Sequence, residues 1–535
     1  MNAGSRGFRR LFRSPIFLNP VFLLGLVAFL AAFAVQSGEL GSSDTTHRLQ
    51  TAHSFWTSEP PVFPEEYPEF GIHGRNGKLY AWYGIGQSLL LLPSDVAGTY
   101  VADLPIFDSY GDTDPNVRDI VASFSTNIFV CVAAVLMCYR LLGLLGFANN
   151  ERIAGSLALL LGTTFLHYTQ NMMENNYILL LTLTGLCFQY DWLQTGRTRS
   201  LWIGSVALGA NLLTRVTTAM DWVGVGLFLL LAAWFADIRG RALWLHLIAY
   251  LKVVLPVYFL FGIADRLYQF ARFGSFFNTY VSVWAAEQRR TNPALPASFP
   301  FETPFHTGFF GALFSPEKSI FLFDPLILLT ILLCVLLWKR FSGPVRAYLI
   351  TFGLLLLGYL CFYARYTDWA GDTAWGDRYV STSVQLVAFI SVPLLMRYRA
   401  NLSKIVWRVG VGILAASVAV QLASVAFWCP LERYQMDMLD QPTFVVALRF
   451  SDIWNYALGR IDRWGLSPGL PAADLWDYVH ITTLNFLPLV LKRVGVAPQW
   501  VVDLLSGIWL AGIAALVWLL GHIRRMMKSG AFDAA

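Results

Sequence analysis

The stretch Gly38 to Trp56, GELGSSDTTHRLQTAHSFW, sets an acid, Asp44, four residues before a base, Arg48, straight after an apolar run. On a helix that spacing puts both side chains on one face, where they pair or turn together toward a ligand. Asp44 also stands where a helix would begin, so a plain N-cap accounts for it as well. Further groups of related chemistry follow. HGRNGKLYAWYGIGQ (73–87) joins Arg75 and Lys78 to the rings of Tyr80, Trp82 and Tyr83. Arg215 sits in NLLTRVTTAMDW at the end of an apolar run. An ionisable residue there is a functional candidate, with pairing to Asp221 or snorkelling to the interface as its ordinary alternatives. RYTDWAGDTAWGDRYV (365–380) packs Arg365, Asp368, Asp372, Asp377 and Arg378 among Trp369, Trp375 and Tyr379. Rings that offer an apolar face beside charges that orient hydroxyls suit a sugar; an aromatic belt at a membrane interface has the same makeup.

These residue types are compatible with glycosyl transfer. Glycosyl transfer with inversion needs a base for the acceptor proton and cations for a leaving phosphate. In that scheme Asp44 is the catalytic base and Arg48 supports it. Lys78, Arg215 and Arg378 hold the donor phosphate through charge-assisted contacts. Tyr80, Tyr83, Trp375, Asp377 and Tyr379 contact sugar or acceptor.

The elements that must position them are helices in a bilayer. The 535 residues are 56% hydrophobic and 14% charged, too little charge to cover a soluble chain of that length. The expectation is an all-α polytopic membrane protein with about 12 spans, counted by the rule that about 20 apolar residues cross the hydrocarbon core. The spans fall near 16–36, 118–145, 152–168, 176–193, 201–217, 221–236, 243–264, 320–338, 346–363, 379–396, 405–427 and 503–522. The first is long for a signal core and is expected to stay as an anchor. Lys and Arg give a formal charge of +5, but they lie in small groups beside the spans and form no stripe for a nucleic acid. Read as topology signals, SRGFRRLFR, QTGRTRS, DIRGR, WKRFSGPVR and HIRRMMKSG mark the cytoplasmic side and place both termini there. The long segments 37–117, 265–319, 364–378 and 428–502 then face outward. The first of these is expected to hold a short amphipathic helix from Thr45 onward, lying on the outer membrane surface, and a re-entrant or surface-lying segment over 73–98. Residues 1–427 form the catalytic region, and 428–535 an outer amphipathic segment with a last span.

The six cysteines show no CxxC or metal spacing, and most lie in apolar runs, so no disulfide framework is implied. His47, His53, His73, His167 and His306 lack the i, i+4 spacing of a zinc helix and read as polar loop residues. WAAEQRR (284–290) reads as an acceptor or headgroup contact, or as a solvated helix end.

Four stretches carry a resemblance. An acid after the first span with an Arg one turn on, the element G-K-x-Y-x-x-Y-G-x-G-Q-S-L-L-x-L-P (77–93), L-F-S-P-x-x-x-I-F-L (313–322) and W-x-G-D-x-x-W-G-D-R-Y (369–379) are similar to the GT-C superfamily. More narrowly, they resemble bacterial polyprenyl-phosphate-dependent glycosyltransferases of the protein O-mannosyltransferase and aminoarabinose transferase type. The resemblance implies a polyprenyl-phosphate-linked sugar as donor, membrane lipids as surroundings, an acceptor on the outer face of a bacterial-type inner membrane, and inversion. It puts Asp44 at the acidic position of the first outer loop. Many relatives have two adjacent acids there, whereas this chain has SSDTT. One carboxylate is a poor cage for a hard divalent cation, so no cofactor is expected and a metal is disfavoured. DTDP (112–115) is formally D-x-D, but it reads as turn chemistry.

Two other classes fit the composition: a transporter or flippase of a lipid-linked saccharide, and a glycan polymerase or ligase. A transporter of this span count is usually built from two similar halves, and no such repeat is visible. The orientation is open to direct test. A cysteine at Gly77 should react with a membrane-impermeant thiol reagent in intact cells and one at Gly196 should not; labelling at Gly196 would reverse the topology.

Overall fold

Runs of Leu, Val, Phe and Ala offer a backbone in lipid no polar partners but its own, so they close into helices. Six helices of the computed structural model are long and apolar enough to cross a membrane: Val117–Leu144, Val216–Phe235, Gly240–Phe273, Gly343–Tyr363, Lys404–Ser424 and Gln499–Ser529. Shorter apolar helices are Pro20–Val35, Phe305–Phe314 and Ser381–Arg397. The structure describes residues 19–64, 71–111, 113–439, 441–460 and 483–532. The basic N-terminal stretch, Asp112 of DTDP and residues 461–482 of the last outer segment lie outside them.

The count of about 12 spans is not reached by length and composition, for local reasons. Stretch 152–168 divides into Asn149–Gly162 and Phe165–Gln170 at an extended Thr163. Stretch 320–338 divides into Ile320–Phe323 and Leu326–Leu337 at Pro325, whose ring cannot continue the first helix. Helix Asn175–Thr195 buries Asn175, Asn176, Thr182 and Gln189, which lowers its hydropathy while satisfying polar groups inside the bundle.

Val117–Leu144 packs against Pro20–Val35, Gly86–Ala102, Asn149–Gly162 and Asn175–Thr195; Asn175–Thr195 pairs with Thr198–Leu212, and Ala219–Phe235 lies on Gly343–Tyr363. One continuous apolar core links these helices. Gly240–Phe273 and Gln499–Ser529 turn apolar side chains outward, with Phe259 71% and Val517 63% exposed. An apolar exterior along whole helices suits lipid and not water.

The first outer loop differs from expectation in two places. Helix Ser43–His53 is capped by Ser42, whose Oγ accepts from Thr45 N at 3.3 Å, so Asp44 lies inside the first turn and is not the cap. That helix does not rest on a surface: Thr45, His47, Arg48, Leu49 and Ala52 are buried, because it packs against Gly86–Ala102. The segment expected to be re-entrant or surface-lying begins with an antiparallel pair of two-residue strands, Ile72–His73 and Leu79–Tyr80. It continues as the helix Gly86–Ala102, which carries Pro93 and also packs on Val117–Leu144. Among the five histidines read as loop residues, His47, His53 and His167 are buried.

Candidate active site

The glycines of Y-G-x-G explain how the first outer loop reaches the bundle. A Cβ on Gly84 would stand 2.3 Å from the Leu213 carbonyl oxygen, and one on Gly86 would stand 2.2 Å from Thr214 Oγ1. Gly86 N donates to Leu213 O at 2.8 Å. Only glycine allows so close a docking, and it sets Tyr83 near Arg215.

Around that junction lies a cavity of about 580 Å³, lined by Asp44, Arg48, Trp82, Tyr83, Glu174, Arg215, Tyr280, Trp284, Tyr363, Tyr366, Arg378 and Tyr379, among others. Its charged groups alternate. Arg378 Nη1 meets Asp44 Oδ2 at 2.8 Å, and Tyr83 OH donates to Asp44 Oδ1. Arg48 meets Glu174 at 3.0 Å, and Arg215 donates to the other oxygen of Glu174. Three guanidinium groups thus pair with two carboxylates, and Asp368 and Asp372 also line the cavity. Tyr379 lies under both Arg215 and Arg378, each 5.3 Å from its ring centre, and stacks on Tyr363 at 4.6 Å. Arg48 lies 4.1 Å over the Tyr83 ring. Arg378 Nε is buried with no hydrogen-bond partner among the described residues, a donor free for an oxyanion.

Burial raises the proton affinity of the Asp44 carboxyl, but Arg378 and then Arg48 more than offset this and hold it below its ordinary value. The same contest, with burial first and Arg48 and Arg215 against it, holds Glu174 well down. Burial pushes the Tyr83 phenol up, and the neighbouring Asp44 charge adds to this, so it remains a hydrogen-bond donor. Burial drives His47 down to about 4, leaving a neutral imidazole beside the site at pH 7. Because both folded-state carboxyl values are depressed, the stabilisation they give is present above their unfolded values and fades only as pH falls toward the folded ones.

A second cavity, of about 420 Å³, lies on the other side of the same ion pair. Ser43, Asp44, Asp372 and Arg378 line both, so the Asp44–Arg378 pair is a wall between them.

Of the residues singled out by sequence, Asp44, Arg48, Tyr83, Arg215, Arg378 and Tyr379 come together here. Arg48 does not bond Asp44 as its neighbour on the helix; its direct partner is Glu174. Arg215 does not pair with Asp221, which instead accepts from Tyr359 and Thr182. Four others line neither cavity. Lys78 is exposed beyond the Arg75–Gly77 turn, and Tyr80 packs edge-on to Phe273 at 6.0 Å. Trp375 is buried against His167 and Phe323. Asp377 accepts from Tyr379 N at 3.0 Å and so fixes the backbone under the site; burial pushes its carboxyl up to about 7.

Glu174, Tyr280, Tyr363 and Tyr366 are not among the residues singled out by sequence, and Trp284 enters there only as the first residue of WAAEQRR. Glu174 had one usable signal, a lone acid in a short polar joint between two apolar runs. Tyr280 and Trp284 lie on Tyr280–Thr291, the helix that includes WAAEQRR. No group of three or more His, Cys, Asp or Glu side chains placed to hold a metal occurs among the described residues.

No protein-family model matches the chain, and no curated protein matches it. Among solved structures it is similar to ArnT from Cupriavidus metallidurans bound to undecaprenyl phosphate, at 14% identity over 94% of this chain and 76% of that one, with a TM-score of 0.42. It is also similar to the archaeal oligosaccharyltransferase AglB from Archaeoglobus fulgidus in complex with an inhibitory peptide and a dolichol-phosphate. That likeness is at 12% identity over 88% of this chain, with a TM-score of 0.45, and the chain spans 58% of AglB's length. At such scores neither neighbour assigns a residue or a reaction; the site stands on its own geometry.

Glu174 should be the member whose loss the fold feels most. Glu174→Gln leaves Arg48 and Arg215 buried without their counter-charge, which should cost about 3–5 kcal/mol and lower the thermal midpoint in detergent. An unchanged midpoint would show that the two arginines do not depend on it.

Proposed function

We propose that the chain is an inverting glycosyltransferase that moves a sugar from a polyprenyl-phosphate donor to an acceptor hydroxyl on the extracytoplasmic side. The observation that carries this reading is the convergence of Arg48, Arg215 and Arg378 on an aromatic-walled cavity, where Arg378 keeps a buried Nε with no hydrogen-bond partner among the described residues. A phosphate oxygen gives that Nε its acceptor, and away from bulk water each charge-assisted contact counts for more.

The donor's lipid also has a route. An apolar groove of about 510 Å³, lined by Leu212, Phe259, Gly262, Ile263, Leu267 and Phe276 among others, shares Val216 and Thr279 with the cavity. A polyprenyl chain leaving the cavity along that groove passes straight to the lipid-facing side of Gly240–Phe273. The acceptor enters from the second cavity, across the Asp44–Arg378 wall.

In the transfer, the acceptor oxygen attacks the anomeric carbon from the side opposite the phosphate, and its proton passes to Asp44. The bond from the anomeric carbon to phosphate oxygen breaks, and polyprenyl phosphate leaves on the arginines. Arg378 has two roles in this scheme. When it turns to the phosphate, it gives up part of its hold on Asp44, and the carboxylate becomes the stronger base that proton transfer needs. Arg48 acts at one remove, through Glu174 and the Tyr83 ring.

The experiment is transfer by purified protein, supplied with a radiolabelled polyprenyl-phosphate sugar and membrane extract. Label in a new covalent product supports the reading; movement of intact donor across a vesicle membrane without a new bond supports a flippase. The groove has its own readout. Gly262 lines the groove, and a Cβ there meets nothing within 4 Å, so Gly262→Trp is chosen to place a ring in it. It should raise the KM for a long-chain donor about tenfold and leave a two-isoprene donor unaffected. An equal effect on both would place the lipid elsewhere.

A further inference from the structure

The motif LFSPEKS contributes a buried cation that the proposed chemistry leaves unused. Lys318 is 3% exposed, and no carboxylate pairs with it among the described residues. Its Nζ donates instead to three main-chain carbonyls: Asp372 at 2.5 Å, Ala374 at 2.7 Å and Gly376 at 3.4 Å. A buried ammonium without a counter-ion is costly, so what it holds matters.

It holds the loop that delivers Arg378. Residues 364–378 form no regular element between Gly343–Tyr363 and Ser381–Ala388. Three of them take left-handed backbone: Gly371 (φ 73°), Asp372 (φ 58°) and Gly376 (φ 70°). Asp372 does so without being glycine, at a cost that the surroundings must offset. Tyr168 OH donates to Trp375 O at 3.1 Å, Cys429 Sγ donates to Thr373 O at 3.2 Å, and Asn175 Nδ2 donates to Arg378 O at 2.5 Å. Lys318 is the one cation in this set, and it takes three carbonyls at once. Asp372 and Arg378, at the two ends of the looped stretch, both reach both cavities.

We propose that Lys318 is the positioning residue for Arg378: it gathers the carbonyls of residues 372, 374 and 376 and so sets the guanidinium against Asp44. The kinetic part of this inference rests on the transferase reading; the structural part does not.

The experiment has two arms. The first is an experimental structure of Lys318→Met in detergent. The inference expects the carbonyls of 372, 374 and 376 to turn away and Arg378 to part from Asp44; a pair still at its native 2.8 Å would overturn it. The second is a double-mutant cycle with Arg378→Ala, read as donor KM and as thermal midpoint. A residue that acts through Arg378 is coupled to it, so Lys318→Met should raise donor KM about tenfold when Arg378 is intact and by less than about twofold in the Arg378→Ala background. A merely structural lysine would lower the midpoint and raise KM by the same factor in both backgrounds, which overturns the proposal. If the Met variant does not fold, Lys318→Gln, which keeps an N–H donor without the charge, is carried through both arms with the same outcomes. Absence of turnover by the native enzyme on any polyprenyl-phosphate sugar would sink the transferase reading alone and leave the structural arm to judge Lys318.

Discussion

The site depends on an alternation of charge that water barely reaches: Arg378 against Asp44, and Arg48 and Arg215 against Glu174. Each of these ions costs several kcal/mol to bury, and the mutual attraction offsets that only when the geometry is held tightly. The surrounding structure supplies the hold. Ser42 caps the helix that carries Asp44 and Arg48, and Thr45 Oγ1 ties that helix to Met172 O, two residues before Glu174. The close docking of Gly84 and Gly86 on residues 213 and 214 brings the first outer loop against Arg215. Asn175, next to Glu174, takes the carbonyl of Arg378. Four segments far apart in sequence are therefore locked at one point, and moving any of them leaves a charge unpaired.

The alternation also accounts for how such a site could work. The unpartnered Nε of Arg378 is a standing donor for an oxyanion, and the rings of Tyr379, Tyr83 and Trp284 line the cavity beside it. Because Arg378 both pairs with Asp44 and lines the cavity, the proposed arrival of donor phosphate and the basicity of Asp44 are linked through one side chain. In the proposed reaction that link sets an order. The carboxylate is held weakly basic by its partner and becomes a better proton acceptor once a phosphate competes for that partner. In the same proposal the second cavity, behind that pair, takes the acceptor, so that the two substrates lie on opposite sides of Asp44.

Much of this was legible in the sequence, because it depends on local spacing. Asp44 and Arg48 at i and i+4 do share the cavity, and Arg378 and Tyr379 at the end of the Trp-Gly-Asp loop do reach it. Pairing was not legible. The i, i+4 rule names the nearest candidate on one helix, whereas burial lets a better-placed residue more than 300 positions away, Arg378, take Asp44, and sends Arg48 to Glu174. Motif membership misled in a second way: Trp375 and Asp377 sit beside Arg378 in sequence, yet one packs into the core and the other fixes backbone, because a loop folded through left-handed residues faces successive side chains in different directions. Lys78 lies on a turn that the hairpin carries away from the site. Glu174 was hidden in NMMENNY, where nothing but a lone acid marks the position. The helices show the same division. Their places follow from hydropathy, while the breaks at Thr163 and Pro325 decide how many are long enough to cross.

The claim at the centre is that Asp44 takes the acceptor's proton, and turnover of Asp44→Asn at saturating donor, expressed per folded molecule, tests it most directly. The asparagine has one acceptor oxygen where Tyr83 and Arg378 each use a separate oxygen of Asp44, and it leaves the guanidinium without its counter-charge, so a lowered thermal midpoint is expected and is uninformative by itself. The account expects kcat to fall about 10²–10⁴-fold in the fraction that remains folded, the loss typical of a positioned general base. Folded Asp44→Asn turning over at the native rate would contradict it and reduce Asp44 to a counter-ion for Arg378.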